Sequence, residues 1–201
     1  MILVIKGAGM PETLSNLYQL MDDTWNRIAE AYQFKCNGCK DNCCQSLFFH
    51  HTHIEKAYLR YGFEQLKPDT QKDILNKTKY YCRETFPVSG EIKSLKIMCP
   101  LNEKGRCILY PYRPMICRLH GLPHEIRKPG FNPLMGKGCE TGLFDEKPYI
   151  EFDRTPFYQN MAQIEAEYRK KMKINHKIKE TVAQMLLRST ENFPAAENPI
   201  L

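Results

Sequence analysis

Nine cysteines occur in this 201-residue chain, and eight of them fall into two groups. The first is Cys36-Asn37-Gly38-Cys39-Lys40-Asp41-Asn42-Cys43-Cys44; the second spreads Cys99, Cys107, Cys117 and Cys139 through a stretch rich in Pro and Gly. A Cys-x-x-Cys turn offers two thiolates at small loop-closure cost, and a tetrahedral zinc site takes donors at about 2.3 Å. Gly38 suits that turn, because backbone amides must fold toward the sulfurs. Cys43 and Cys44 are chain neighbours, whose side chains would point to opposite faces of an extended segment. Either the backbone bends sharply there or the pair serves two sites. Four thiolates around Zn²⁺, or around an oxidised 4Fe–4S cluster, leave a formal charge of about −2. Arg113 and Arg118 bracket Cys117, and with Arg106 they are placed to balance that charge and to tune a redox centre. Pro114 suits the start of a short helix with Cys117 in its first turn, where the helix dipole favours thiolate.

Packing alone is a poor account of these eight thiols. Free cysteine does pack like a small hydrophobe, but four cysteines in nine residues beside Asn, Asp and Lys make an improbable core segment. Cys82 is different: it lies at helical spacing with Leu75, Thr78 and Phe86 and reads as a core residue. Imidazole can replace thiolate on zinc or in a Rieske-type centre, and His50, His51 and His53 follow the first group while His120 and His124 follow Cys117. Since eight cysteines already suffice, these histidines are expected at helix ends or in solvent. His120, three residues beyond Cys117, is the first of them to consider as a ligand.

At these residues the chain resembles the zinc- or iron-chelating cysteine-cluster proteins, also called YkgJ-like. The matching elements are Cys36, Cys39, Cys43 and Cys44; Cys99-Pro100-Leu101; Gly105 with Cys107; Arg113-Pro114 with Cys117-Arg118; and the later Cys139. Five elements occur in the family's order across residues 36 to 139. The resemblance implies zinc or iron–sulfur binding through the eight cysteines. Some members look like iron–sulfur oxidoreductases, and a similar cluster occurs in enzymes that methylate flagellin lysines. The helices on either side fall outside the motif.

Those helices are legible from periodicity. From Pro11 to Phe34, Leu14, Leu17, Met21, Trp25, Ile28 and Tyr32 recur at steps of three and four, with Pro11 suited to the first turn. Thr52-His53-Ile54-Glu55 has capping-box spacing for a second helix, expected to stop near Gly62. A third spans Pro68 to about Thr85. Asn102-Glu103-Lys104-Gly105, between Ile97-Met98 and Ile108-Leu109-Tyr110, reads as a small hairpin. Phe157 to Arg188 forms two helices, or one bent near Asn175. The opening Met1 to Met10 reads as a frayed end or edge strand; Gly7-Ala8-Gly9 is not a dinucleotide loop, because the place of its third glycine is Glu12. The tail after Ser189 looks poorly ordered.

The fold class expected is therefore small and mainly α: a single domain over residues 1–201. An irregular, metal-organised core at 36–139 carries a short β-hairpin, amphipathic helices flank it, and residues 155–188 form a C-terminal helical arm. Nine cysteines in 201 residues, about 4.5%, is below the roughly 8 to 10% of disulfide scaffolds. The longest apolar runs fall short of a spanning helix, and the first five residues stop at Lys6, too soon for a secretory signal. These features point to the cytoplasm, where thiols serve metals or redox chemistry rather than stable disulfides. The net charge of +6 permits an acidic partner without requiring one. The basic run Arg169, Lys170, Lys171, Lys173, Lys177, Lys179 is interrupted by acidic residues and reads as a solvated face.

The function expected is a cytosolic metal-binding protein holding zinc or an iron–sulfur centre, structural and open to redox use. Its partners are the metal and a possible protein or redox partner, with neither nucleic acid nor membrane. The alternatives are an iron–sulfur-dependent enzyme, an oxidoreductase or a protein-lysine methyl transferase, and a binding module using the basic C-terminal helix. No catalytic residues can be named from the sequence.

Overall fold

The computed structural model describes residues 12–36, 43–87, 96–139 and 142–187. Cys39, the opening segment with Pro11 and the tail after Ser189 lie outside the described residues. Within them the chain is mainly helical, with six α-helices and two short antiparallel two-stranded sheets.

Helix α1 (Glu12–Ala31) buries Leu14, Leu17, Met21 and Ile28 of the expected stripe, with Tyr18 buried beside them and Trp25 only partly buried. Helix α2 (His53–Glu64) begins after Thr52 and ends two residues beyond Gly62, close to the expected stop. Gly62 is not its cap; it is where Tyr112 crosses the helix, and a Cβ there would lie 2.3 Å from the Tyr112 ring. The capping box does not form either. The first amides of α2, His53 N and Ile54 N, donate to the two carboxylate oxygens of Glu165, each at 3.0 Å. A residue more than a hundred positions away thus supplies the acceptors that a helix start lacks. Helix α3 (Pro68–Thr85) has the expected bounds.

The first hairpin pairs β1 (Asn102–Glu103) with β2 (Arg106–Cys107), so it is shorter than expected: Ile97-Met98 and Ile108-Leu109 are not strands, and Tyr110–Tyr112 is a 3-10 turn. Lys104 and Gly105 both take positive φ, as a tight two-residue turn between twisted strands demands. Helix α4 (Met115–Leu119) follows Pro114. The second hairpin, β3 (His124–Ile126) with β4 (Leu134–Gly136), is not foreseen in the sequence; each strand is only three residues long. Helix α5 (Thr155–Met172) ends at Lys173 in the left-handed conformation, and α6 (Val182–Leu187) follows an extended stretch, so the two-helix alternative holds. Lys170, Lys171 and Lys173 are exposed.

Two apolar clusters hold these elements. One joins α1 to Ile54, Met115, Leu119, Leu122, Phe144, Phe152, Phe157 and Met161. The other gathers Leu59, Phe63, Ile74, Leu101, Leu109, Val182, Met185 and Leu186. The segment expected as an arm is therefore built in: α5 packs on α1 and α2, and α6 on α3. Hydrophobic burial, at about 1.5–3 kcal/mol per large side chain, gives the fold a substantial framework besides any metal. No described helix is long and apolar enough to cross a membrane.

Candidate metal centre

Between the two clusters lies a cavity of about 680 Å³, lined by Cys36, Cys43, Cys44, Cys99, Cys107, Cys117 and Cys139. Seven of the eight predicted residues thus face one space, and the eighth, Cys39, lies outside the described residues. Cys82, on α3, is not part of the lining. None of the described cysteines is in a disulfide.

Six of the seven cysteines have an identifiable backbone support, and Cys36 is exposed. A single 3-10 turn at Cys43–Gln45 bends the backbone, so the adjacent Cys43 and Cys44 both line the cavity. Cys99 N donates to Cys44 O at 2.8 Å, which joins the two cysteine-bearing stretches directly. Cys107 sits on β2 opposite Asn102. Cys117 is on α4, whose first amide, Met115 N, donates to the buried Glu55 carboxylate of α2 at 2.6 Å. Cys139 N donates to Gly121 O at 3.0 Å. The preceding Gly138 has φ +85°, and a Cβ there would meet the backbone nitrogen of Pro123 at 2.7 Å, so only glycine brings this strand close.

The electrostatics differ from the sequence expectation at Cys117. Burial first, then the neighbouring Cys107 and Cys44, push this thiol up to about 12, against the pull of Arg113. Glu55, whose carboxylate accepts from the first amide of α4, adds a smaller push in the same direction. Burial likewise raises Cys107 to about 11 and lifts Cys99 well above the ordinary thiol value. Cys44 is the exception. A hydrogen bond from Cys43, with smaller help from the Asn102 amide and the Arg113 charge, lowers it to about 6 and drives Cys43 upward. The pair shares a proton, with the negative charge resting on Cys44.

The arginines beside Cys117 are largely engaged with other groups. Arg118 is buried, donates to Asp22 Oδ2 at 2.6 Å and stacks on the Tyr18 ring. Arg113 reaches the same Asp22 at 3.5 Å and lies over the Tyr110 ring. Both still pull the Cys107 thiol down against its burial. Arg106 lines the cavity from an exposed position.

The donor set suits a thiophilic metal in kind: seven soft sulfurs, cationic neighbours, and the negative charge that the thiols develop as they ionise. Among the described residues, no three of His, Cys, Asp and Glu already form a compact ion site. The sulfurs ring a volume rather than a point, and that volume far exceeds the roughly 30 Å³ of one water molecule. Sequence reasoning missed Asp22, Glu55 and Asn102, which sit among ordinary helix and turn residues and carry no local signal. It also ranked His50 below His120. His50 lines the cavity and is 2% exposed, with neither ring nitrogen hydrogen-bonded. His120 packs its ring on Phe48, and its carbonyl accepts from Trp25 Nε1 at 2.9 Å. Compared with known proteins, the chain matches no family model, no curated protein and no solved structure.

Proposed function

We propose that this chain is a cytosolic metal-binding protein whose cysteines, drawn from residues 36–44 and 99–139, hold zinc or an iron–sulfur centre in the cavity between the two apolar clusters. The observation that carries this reading is the convergence of seven thiols, from distant parts of the chain, on one space. The resemblance to the cysteine-cluster family points the same way. Cys36, Cys43, Cys44, Cys99, Cys107, Cys117 and Cys139 would bind the group, joined by Cys39. A bound cation would replace the protons of the raised thiols, so loading releases protons and adds to stability. If the metal is iron, the centre supplies one-electron chemistry, and Arg113 and Arg118 set the field in which it works.

The size of the cavity favours a second reading alongside the first. A volume of about 680 Å³ lies within the roughly 300–1,000 Å³ typical of small-molecule sites. Trp25, Tyr110 and Arg106 on its wall could receive a ligand beside the metal. This supports an iron–sulfur-dependent enzyme, with oxidoreduction or protein-lysine methyl transfer as the reactions suggested by the family likeness.

Anaerobic purification followed by metal and acid-labile sulfide analysis tests both. Brown protein with sulfide supports the redox and enzyme branch; colourless protein with one or two zinc ions supports a structural role. Protein that retains no metal and takes up neither zinc nor iron refutes the proposal.

A further inference from the structure

Of the six histidines, His50 alone is buried with both ring nitrogens unpartnered. The others are accounted for differently. His51 is exposed. His53 shares a contact at 3.0 Å with the His176 carbonyl, and the two rings meet edge to face. His124 Nδ1 lies 3.1 Å from Leu122 O, and His120 is packed against Phe48.

A neutral imidazole carries one donor and one acceptor, and leaving either unsatisfied in the interior costs about 1–3 kcal/mol. Nothing about the backbone forces His50 into this position by accident of a loose loop. His50 N donates to Glu180 O at 2.7 Å, and Glu180 N donates back to His50 O at 3.0 Å. This isolated antiparallel bridge fixes the residue between the first cysteine group and the start of α6. Glu180 is itself held by Lys56 Nζ at 2.7 Å. His50 thus lines the thiol-walled cavity from a backbone bridge, with both ring nitrogens sealed from solvent and without a partner.

We propose that His50 coordinates, through a ring nitrogen, the metal that the cavity's thiolates hold, making a mixed sulfur and nitrogen centre. This rests on the reading of the cavity as a metal centre. A neutral imidazole is a good zinc and iron ligand, and its remaining N–H can donate to a neighbouring thiolate sulfur, which satisfies both orphaned atoms together. The proposal also gives the eight cysteines fewer positions to fill, so not all of them need bind the same ion.

X-ray absorption at the edge of the metal carried by the anaerobically purified full-length protein provides the test, with Zn²⁺ added to chelator-stripped protein as a second sample. Sulfur scattering with the outer-shell pattern of one imidazole is expected in the wild type. In His50→Gln the imidazole pattern should vanish while sulfur scattering remains, and Zn²⁺ affinity should fall at least about tenfold, the lower bound for losing even a hydrogen-bond partner of a ligand. A sulfur-only wild-type spectrum, or imidazole scattering that persists in His50→Gln, overturns the assignment and leaves the thiolate centre standing. Binding of no metal at all removes the metal reading and His50's role with it. Should His50→Gln not fold, His120→Gln decides: retention of the imidazole pattern upholds His50 against its nearest rival, and loss overturns it.

Discussion

Glu55 connects the helical framework to the wall of the cysteine-lined cavity, and its removal is a measurable test of that connection. Its carboxylate is buried and accepts from Met115 N at 2.6 Å, from Thr52 Oγ1 at 2.5 Å, and weakly from Tyr18 OH at 3.4 Å. Burial raises its pKa, opposed by these same hydrogen bonds. Glu55→Ala leaves the Met115 amide, at the first position of α4, without an acceptor inside the protein, at a cost of about 1–3 kcal/mol. Losing the Thr52 bond and the packing of the side chain brings the total to about 3 kcal/mol. For a chain of this length about 2–4 °C of Tm follows each kcal/mol, so a fall of roughly 6–12 °C is expected. Glu55→Gln keeps an acceptor for Met115, and its amide can donate to Thr52 Oγ1, so it should lose no more than about 1 kcal/mol. Urea denaturation of chelator-stripped protein, with metal content measured in parallel, reads both quantities. Because Cys117 sits two residues beyond Met115, the Ala variant should also hold metal less tightly. An Ala variant within about 0.5 kcal/mol of wild type would refute the reasoning, as would equal losses in Ala and Gln.

Cys107→Ser and Cys117→Ser should each lower metal content and Tm together, whereas Cys82→Ser, away from the cavity, should leave metal content unchanged; elemental analysis beside a melting curve separates them. His124 is depressed to about 4, by burial first and then by the Arg154 charge. A depressed histidine contributes stability that is present above about pH 6.5 and is lost as pH falls toward 4. The full linkage would be about 3 kcal/mol, and since the ring is only part-buried about half is expected. Between pH 7 and pH 4.5, His124→Gln should therefore lose about 1–2 kcal/mol less than wild type in urea titrations. Gly138→Ala combines a left-handed φ with a backbone clash against Pro123. It should cost at least about 2 kcal/mol and impair metal retention through Cys139, measured by denaturation and by competition with a chelator. Gly62→Ala must displace the Tyr112 ring, and thermal melting should show a loss of about 1–3 kcal/mol from overpacking.

What could be read in advance was what depends on neighbours in the chain. The stripe Leu14, Leu17, Met21 and Ile28 announces α1, Pro68 starts α3 where it should, and a hairpin does turn near Gly105, although its strands lie closer in than the sequence suggests. What stayed hidden depends on partners far away. Thr52 and Glu55 have the spacing of a self-contained cap, yet Glu165 takes the α2 amides, and Glu55 turns instead to α4. Gly62 looks like a helix stop because nothing local reveals Tyr112 lying across it. At the candidate centre the cysteines announced themselves by number and spacing. His50 did not, since its meaning comes from burial and from the pairing with Glu180, neither of which spacing encodes. The same holds for Cys117, whose thiol is raised by burial and by the neighbouring Cys107 and Cys44, partners that its sequence position does not reveal.

The walls around the thiols are assembled from the whole chain. Asp22 and Trp25 come from α1, Leu59 from α2, and Thr181, Val182 and Ala183 from the C-terminal end of the described chain. The cysteine motif is therefore not portable. An excised fragment spanning only residues 36–139 would carry all eight sulfurs of the motif but lose two sides of their enclosure and Arg118's counter-ion. A chimera that borrows the centre for another scaffold must bring the outer helices with it.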